Sequence, residues 1–163
     1  MLIIVMGLPG SGKSFFAQRL AENLDMAYIN SDVIRKEINL KGQYQPKQRL
    51  EVYREMAVRA QVFFQKNKNV MVDATFQFPE SRDLFKDLAD KFGQRLVCYY
   101  IWAEETLIKE RLSQERKDSE ADFEVYRLVK SNYAAIPPHC HSIQSTNENI
   151  DDMINKAKIH LDQ

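Results

Sequence analysis

"GLPGSGKS", Gly7 to Ser14, fits the pattern G-x-x-x-x-G-K-S/T in every fixed position. The apolar run "LIIVM", residues 2–6, precedes it and predicts a buried strand, and helical periodicity follows over about 13–24. A glycine-rich turn between a strand and a helix lets backbone N–H groups surround a polyphosphate, and the helix dipole adds to the attraction. Within it Lys13 can reach the outer phosphates, and the Ser14 hydroxyl can ligate Mg²⁺. The stretch therefore predicts a nucleotide-binding loop on an α/β fold.

Strand-like and helix-like segments alternate along the remainder of the chain. Continuous apolar strands that alternate with helices indicate a parallel sheet covered on both faces, so the predicted fold class is α/β, in one domain over residues 1–163. Further strands are predicted at 27–30, 69–73, 95–103 and 141–145, and further helices over 46–66, between Pro79 and Gly93, and over about 104–115, 122–134 and 148–161.

Composition excludes several classes of protein. The 163 residues are 44% hydrophobic and 28% charged, a mixture typical of soluble globular proteins. Lys plus Arg and Asp plus Glu are both 23, and this neutrality argues against a protein that binds nucleic acid along its whole surface. No apolar run approaches the roughly 20 residues of a membrane span. Two cysteines, Cys98 and Cys140, suggest no disulfide framework and a reducing, cytoplasmic location, with Cys98 as a core residue.

Carboxylates follow two of the predicted strands. Asp73 ends the third strand in "VMVDAT", and Asp32 follows the second in "INSDVIRK". The carboxyl ends of parallel strands meet at one edge of the sheet, where the phosphate-binding loop also opens. Asp73 is interpreted as a Mg²⁺ carboxylate, although a turn or cap residue is the alternative. Because Asn30 or Ser31 can cap the next helix, Asp32 is left to orient an acceptor hydroxyl and to take its proton.

Three arginines lie where they could bind anions. Arg35 is one helical turn beyond Asp32 and could hold an anionic substrate or the transferred phosphoryl group. Arg111 and Arg116 belong to the basic stretch "KERLSQERK", residues 109–117. This stretch fits either a solvated helix end or a lid that brings an arginine onto the phosphates. By contrast, "PPHCH", residues 137–141, is too tightly spaced for one tetrahedral zinc and is interpreted as a turn.

The ordered set "GLPGSGKS", "INSDVIRK", "VMVDATF…PESR" and "SEADFEVY" resembles one group of P-loop kinases over roughly residues 2–160. The group contains the kinase domains of the polynucleotide kinase, zeta toxin and chloramphenicol phosphotransferase type. The resemblance implies a three-layer α/β/α P-loop NTPase fold with five parallel strands in the order 2-3-1-4-5. It also implies a lid at about 113–122, and adenine beside the loop after strand five, near Ser145 and Thr146.

The resemblance carries over residue by residue to the matching positions. It implies Asp32 as the general base, Arg116 as the lid arginine, and Lys13 and Arg35 as further catalytic groups. It implies Ser14 and Asp73 as Mg²⁺ ligands, and a substrate side formed by Asp32, Arg35, Asp73 and Arg82. Nucleotide contacts are expected from Gly7, Pro9, Gly10, Ser11, Gly12, Lys13, Ser14, Phe15, Arg111, Arg116 and Thr146.

The leading hypothesis is an ATP- and Mg²⁺-dependent kinase that phosphorylates a hydroxyl group. The acceptor could be a nucleic acid 5′ end, a nucleotide or sugar, or a small alcohol, and the neutral net charge weakens the nucleic acid option. One alternative is an ATP-binding regulatory module that hydrolyses slowly. Another is a nucleoside monophosphate kinase, which needs a base-reading pocket that residues 36–60 do not display.

Overall fold

The computed structural model describes residues 1–113 and 122–162. Strands and helices alternate along these residues, and each lies within a few residues of the position predicted from the sequence. In chain order they are β1 Leu2–Met6, α1 Lys13–Asn23, β2 Ala27–Asn30, α2 Ser31–Glu37, α3 Pro46–Gln65, β3 Val70–Asp73, α4 Pro79–Lys91, β4 Leu96–Trp102, α5 Glu105–Ser113, α6 Phe123–Ser131, β5 His141–Gln144 and α7 Ile150–Leu161.

The five strands form one parallel sheet in the order β2-β3-β1-β4-β5. The register aligns Asp73, the last residue of β3, with Val5 of β1 on one side and with Asn30 of β2 on the other. The carboxyl ends of these three strands are therefore level, and the loops that follow them open at the same edge. Both the predicted fold class and the predicted strand order are confirmed.

Helices cover both faces of the sheet. Along β1, Leu2, Ile4 and Met6 belong to the core beneath α2, α3 and α4, whereas Ile3 and Val5 belong to the core beneath α1 and α7. All five side chains are at most 3% exposed. A strand with a helix layer on each side buries every residue, which explains why β1 is apolar throughout instead of alternating.

Local signals fix the helix ends near the site. Asn30 caps α2, because its Oδ1 accepts hydrogen bonds from the backbone N–H of Asp32 at 2.9 Å and of Val33 at 3.1 Å. Pro79 is the first residue of α4, where its missing N–H costs nothing. Gly93 follows that helix with φ +59°, a conformation that glycine adopts without strain. The expected roles of all three residues in ending or starting helices are confirmed.

The expectation of no disulfide was wrong, whereas Cys98 is a core residue as predicted. Cys98 in β4 and Cys140 in the turn before β5 form a disulfide. The two residues are 42 positions apart, so nothing in the sequence brings them together. The bond ties the turn over residues 137–140 to the core, and it removes the cysteine argument for a reducing compartment.

Further observations concern the turn at residues 137–141, possible metal clusters and possible membrane-spanning helices. The backbone N–H of Cys140 donates to the Pro137 carbonyl at 2.9 Å, which makes "PPHCH" a turn as expected. Within residues 1–113 and 122–162, no cluster of three or more His, Cys, Asp or Glu side chains could hold a metal ion. Over the same residues, no helix is both long enough and apolar enough to cross a membrane.

Candidate active site

The phosphate-binding loop leaves the start of α1 open. Gly12 occupies the cap position with φ +90°, and no side chain caps the helix. The first turn of α1 contains no acidic residue, so its free N–H groups and the positive end of the dipole can attract an anion. A Cβ atom on Gly12 would lie 2.6 Å from the Ser145 Oγ. Only glycine therefore fits between this loop and the loop after β5.

A cavity of about 360 Å³ lies against the outer side of the phosphate-binding loop. Phe15, which is 56% exposed, and Ser145 and Thr146 from the loop after β5 are among the residues that line it. Ile150 and Met153 of α7 supply further apolar surface. The cavity thus has the mixed apolar and polar lining that a nucleotide base and ribose require. The family resemblance implies adenine in this region, and that assignment stays a prediction.

Arg111 connects α5 to this cavity. Its guanidinium donates to the Gly10 carbonyl at 3.3 Å, to the Ser145 Oγ at 3.2 Å and to the Asn147 Oδ1 at 3.2 Å. A permanent positive charge is thereby held beside the phosphate-binding loop. Arg116, the predicted lid arginine, and most of the predicted lid at 113–122 lie outside the described residues.

Asp73 forms the most buried polar cluster at this edge of the sheet. Its carboxylate is 0% exposed, and its Oδ2 accepts hydrogen bonds from the Tyr28 hydroxyl at 2.8 Å and from the Asn30 Nδ2 at 2.6 Å. The same Nδ2 lies 3.5 Å from the Ser14 Oγ. Burial raises the pKa of the Tyr28 hydroxyl well above its ordinary value, and the Asp73 charge raises it further, so Tyr28 remains a donor.

The second oxygen of Asp73 tests the prediction of a Mg²⁺ site. Its Oδ1 is buried and has no hydrogen-bond partner among the described residues. Such an orphaned acceptor is unfavourable unless it meets a cation or a water molecule. The Ser14 hydroxyl belongs to the same cluster, and carboxylate and hydroxyl oxygens are the donors that Mg²⁺ prefers. These two residues fit a Mg²⁺ ion, although the assignment itself stays a prediction.

Asp32 lies in the first turn of α2, beside this cluster. Burial raises the pKa of its carboxyl, the charge of Lys13 opposes that rise, and the charge of Asp73 adds to it. Arg35 also acts on it, in the same direction as Lys13. A raised pKa is compatible with the predicted general base, and that assignment stays a prediction. Asn30 performs the capping, so the Asp32 side chain is not needed for it.

Arg35 is 7% exposed, and its contacts lie in the segment after α2. Its Nη1 donates to the Gln43 carbonyl, and its guanidinium carbon lies 4.5 Å from the centre of the Tyr44 ring. Its Nε is buried without a hydrogen-bond partner in the part of the chain that the structure describes. Arg35 therefore retains a donor in a dry position near Asp32.

Arg82 differs from its predicted role on the substrate side. It is also 7% exposed, but its Nε, Nη1 and Nη2 donate to the carbonyls of Phe76, Ala135 and Ala134 at 2.9, 2.6 and 3.3 Å. Each guanidinium nitrogen is therefore engaged by the protein's own backbone. The expected acceptor contact is replaced by a structural one, which ties α4 to the segment after α6.

Tyr28 and Asn30 were missed by the sequence analysis as site residues. Tyr28 and Asn30 are two positions apart on β2, so their side chains point to the same face of the sheet. The register pairs Asn30 with Asp73. Two polar side chains at positions i and i+2, at the end of a strand that adjoins a buried aspartate, are a signal that could have identified them. Tyr53 of α3 was also missed. Helical spacing alone does not reveal that it lies within reach of the Arg35 charge.

Comparisons with known proteins agree with this geometry. A family model described as an AAA domain matches residues 2–136. The solved structures that match include a sugar kinase from Janibacter sp. HTCC2649, with 18% identity, a TM-score of 0.76 and coverage of 99% of this chain and 94% of that one. A gluconokinase from Sinorhizobium meliloti 1021 matches with 16% identity, a TM-score of 0.75 and coverage of 98% and 90%.

The APS kinase CysC from Mycobacterium tuberculosis, solved in complex with AMPPNP and APS, is also similar. Its identity is 19%, its TM-score 0.77, and the match covers 99% of this chain and 97% of that one. At such identities the likeness establishes the fold, which is that of P-loop kinases. The narrower resemblance to the polynucleotide kinase, zeta toxin and chloramphenicol phosphotransferase group is not confirmed.

Proposed function

We propose that this chain, which belongs to the AAA_33 family of AAA domains, is an ATP- and Mg²⁺-dependent kinase that phosphorylates a hydroxyl group. The observation that carries the proposal is the environment of Asp32. This carboxylate has a raised pKa and lies within electrostatic reach of both Lys13 and Asp73. A module that only binds nucleotide has no use for a second carboxylate so close to the phosphate-binding loop, whereas a kinase requires one.

Several residues of the chain would each have a separate role in the reaction. The acceptor oxygen bonds to the γ-phosphorus, the bond from phosphorus to the β,γ-bridging oxygen breaks, and ADP leaves while Asp32 receives the acceptor proton. Lys13 and the free N–H groups of α1 stabilise the charge on the phosphoryl oxygens. Ser14 and Asp73 are the residues that would hold Mg²⁺, which supplies charge neutralisation when it is bound.

The proposal also covers the group of P-loop kinases to which this chain belongs. The elements "N-x-D-x-x-R", from Asn30 to Arg35, and "DAT", from Asp73, support membership of the polynucleotide kinase, zeta toxin and chloramphenicol phosphotransferase group. The fold comparisons add sugar, gluconate and APS kinases as relatives in structure. All of these transfer phosphate to a hydroxyl group, so the reaction class does not depend on which group is nearest.

The test is ADP release from ATP and Mg²⁺ in the presence of sugars, hydroxy acids, nucleosides, nucleoside monophosphates and a 5′-hydroxyl oligonucleotide. We expect at least one acceptor to stimulate release, and Asp32→Asn to lower kcat by about 10²-fold or more while ATP binding persists. Asp83→Asn, at an exposed position of α4, is the matched control and should leave kcat unchanged. Full activity of Asp32→Asn, or slow release that no acceptor stimulates, would contradict the proposal and favour a regulatory module.

A further inference from the structure

Two arginines near the candidate base each lie over an aromatic ring. The Arg35 guanidinium carbon is 4.5 Å from the centre of the Tyr44 ring, and that of Arg49 is 4.7 Å from the centre of the Phe78 ring. Stacking fixes the plane of a guanidinium and leaves its edge, with the N–H groups, free to point at a ligand. Both arginines are therefore oriented before any substrate arrives.

Both guanidiniums lie within electrostatic reach of one hydroxyl, that of Tyr53. Burial raises the pKa of the Tyr53 hydroxyl to about 12, and among the groups that oppose the rise are the charges of Arg35 and Arg49. Tyr53 in turn accepts a hydrogen bond at 2.9 Å from the backbone N–H of Phe76, in the segment that follows β3. The pair of arginines thus lies at the edge of the sheet where Asp32 and Asp73 are found.

The described residues supply no carboxylate for either arginine. Within residues 1–113 and 122–162, neither Arg35 nor Arg49 has an acidic side chain within salt-bridge distance. In the part of the chain that the structure describes, Arg35 donates to the Gln43 carbonyl and its buried Nε has no partner, and Arg49 donates through Nη1 to the Gln77 Oε1 at 3.2 Å. Several donors therefore remain for a ligand, although burying an uncompensated charge is unfavourable.

We infer that the acceptor is a small molecule with a carboxylate or phosphate beside its hydroxyl group, and that Arg35 and Arg49 bind this anion while Asp32 faces the hydroxyl. The inference rests on the proposed kinase function and names its class of substrate. Planar guanidiniums bind carboxylate and phosphate through paired hydrogen bonds, which explains why arginine, and not lysine, occupies both positions. The equal numbers of acidic and basic residues, 23 each, favour a small anion over a polynucleotide.

Acceptors in matched pairs test the inference on the unmodified protein. Glycerate is compared with glycerol, gluconate with sorbitol, and glucose 6-phosphate with glucose, with a 5′-hydroxyl oligonucleotide beside them, by ADP release and mass spectrometry of the product. We expect the anionic member of at least one pair to have a kcat/KM about tenfold or more above its neutral partner. Comparison of the two carboxylate acceptors with the phosphate acceptor then shows which of the two anions the site binds.

Variants of Arg49 locate the anion-binding group. Arg49→Met should raise the KM for the anionic acceptor about tenfold or more, with smaller changes in kcat and in the KM for ATP. Arg49→Lys keeps the charge and should have an intermediate KM. Arg54→Met removes the same charge from an exposed position of α3 and should leave all three constants unchanged. Thermal denaturation of each variant verifies that it is folded.

Distinct results separate the two proposals. Equal use of neutral and anionic acceptors, use of the oligonucleotide alone, or an unchanged acceptor KM in Arg49→Met each overturns the anionic acceptor and leaves the kinase standing. If ATP binds and no acceptor of any class stimulates ADP release, the kinase proposal fails and the inference that rests on it fails too.

Discussion

Two arginine-containing regions flank β3, and they use an equally buried side chain in opposite ways. Arg82 and Arg35 are both 7% exposed. In the α4 region, the three guanidinium nitrogens of Arg82 donate to backbone carbonyls. In the α2 region, Arg35 donates to one carbonyl and keeps a buried Nε without a partner in the described part of the chain.

The difference shows that burial does not distinguish a structural arginine from one that binds a ligand. Hydrogen-bond saturation does, because a buried donor is stable only if something accepts from it. The same rule applies to Asp73, whose Oδ2 accepts from Tyr28 and Asn30 while its Oδ1 has no partner among residues 1–113 and 122–162. The unsaturated atoms of Asp73 and Arg35 both lie near the carboxyl edge of the sheet, which is where a substrate and a metal ion would complete them.

The largest effect is expected from Arg82→Met. Removal of the guanidinium leaves the carbonyls of Phe76, Ala134 and Ala135 without their donor, at about 1 kcal/mol or more each, so the free energy of unfolding should fall by roughly 3–4 kcal/mol. Urea denaturation measures this loss. Activity per folded molecule should be retained, and Arg127→Met, at an exposed position of α6, is the control. A stable but inactive Arg82→Met would restore the substrate role for this residue.

Arg35→Met should show the reverse pattern. We expect kcat/KM for the acceptor to fall by about 10²-fold, which corresponds to about 2.7 kcal/mol, because an anion contact next to the base is lost. The free energy of unfolding should change by only about 1 kcal/mol, since one hydrogen bond and one ring contact are removed. Steady-state kinetics and urea denaturation on the same preparation test both parts. A large loss of stability with normal activity would place Arg35 beside Arg82 as a structural residue.

Much of the fold could be predicted because the signals are local. The apolar strands, the glycine-rich loop, Pro79 and Gly93 each act through their own backbone or their nearest neighbours, and the strand order followed from a resemblance. The disulfide could not be predicted, since Cys98 and Cys140 become neighbours only after β4 and the last turn have packed together.

The candidate site was predictable in part for the same reason. Lys13 and Asp32 lie shortly after a strand and Asp73 ends one, and a parallel sheet brings such positions to one edge. The role of Arg82 depends on Ala134 and Ala135, more than 50 positions away, and no sequence pattern indicates that contact. The resemblance therefore implied a ligand contact where the folded chain supplies carbonyls.

A smaller effect is expected from Tyr28→Phe, which sharpens the distinction between the two Asp73 oxygens. The change removes the hydroxyl that donates to Oδ2 and leaves the ring in place. A neutral donor that orients a metal-binding carboxylate contributes about tenfold to metal affinity, so the Mg²⁺ concentration for half-maximal activity should rise by about that factor. Titration of activity with Mg²⁺ at saturating ATP measures it. Tyr44→Phe is the matched control on the Arg35 side and should leave the Mg²⁺ requirement unchanged.

The smallest effect concerns pH and again separates the two arginines. Burial raises the pKa of Asp32 above its ordinary value of 3.8, and Arg35 opposes the rise. A general base must be ionised, so kcat/KM should be lost as the pH falls through this raised pKa. Arg35→Met removes a charge that favours the ionised form, and the acid limb should therefore move to higher pH. Arg82→Met should leave the limb in place, because its charge is not among the main causes that shift the Asp32 pKa. A pH profile of kcat/KM for the three proteins decides the point, and an equal shift in both variants would mean that the limb does not report Asp32.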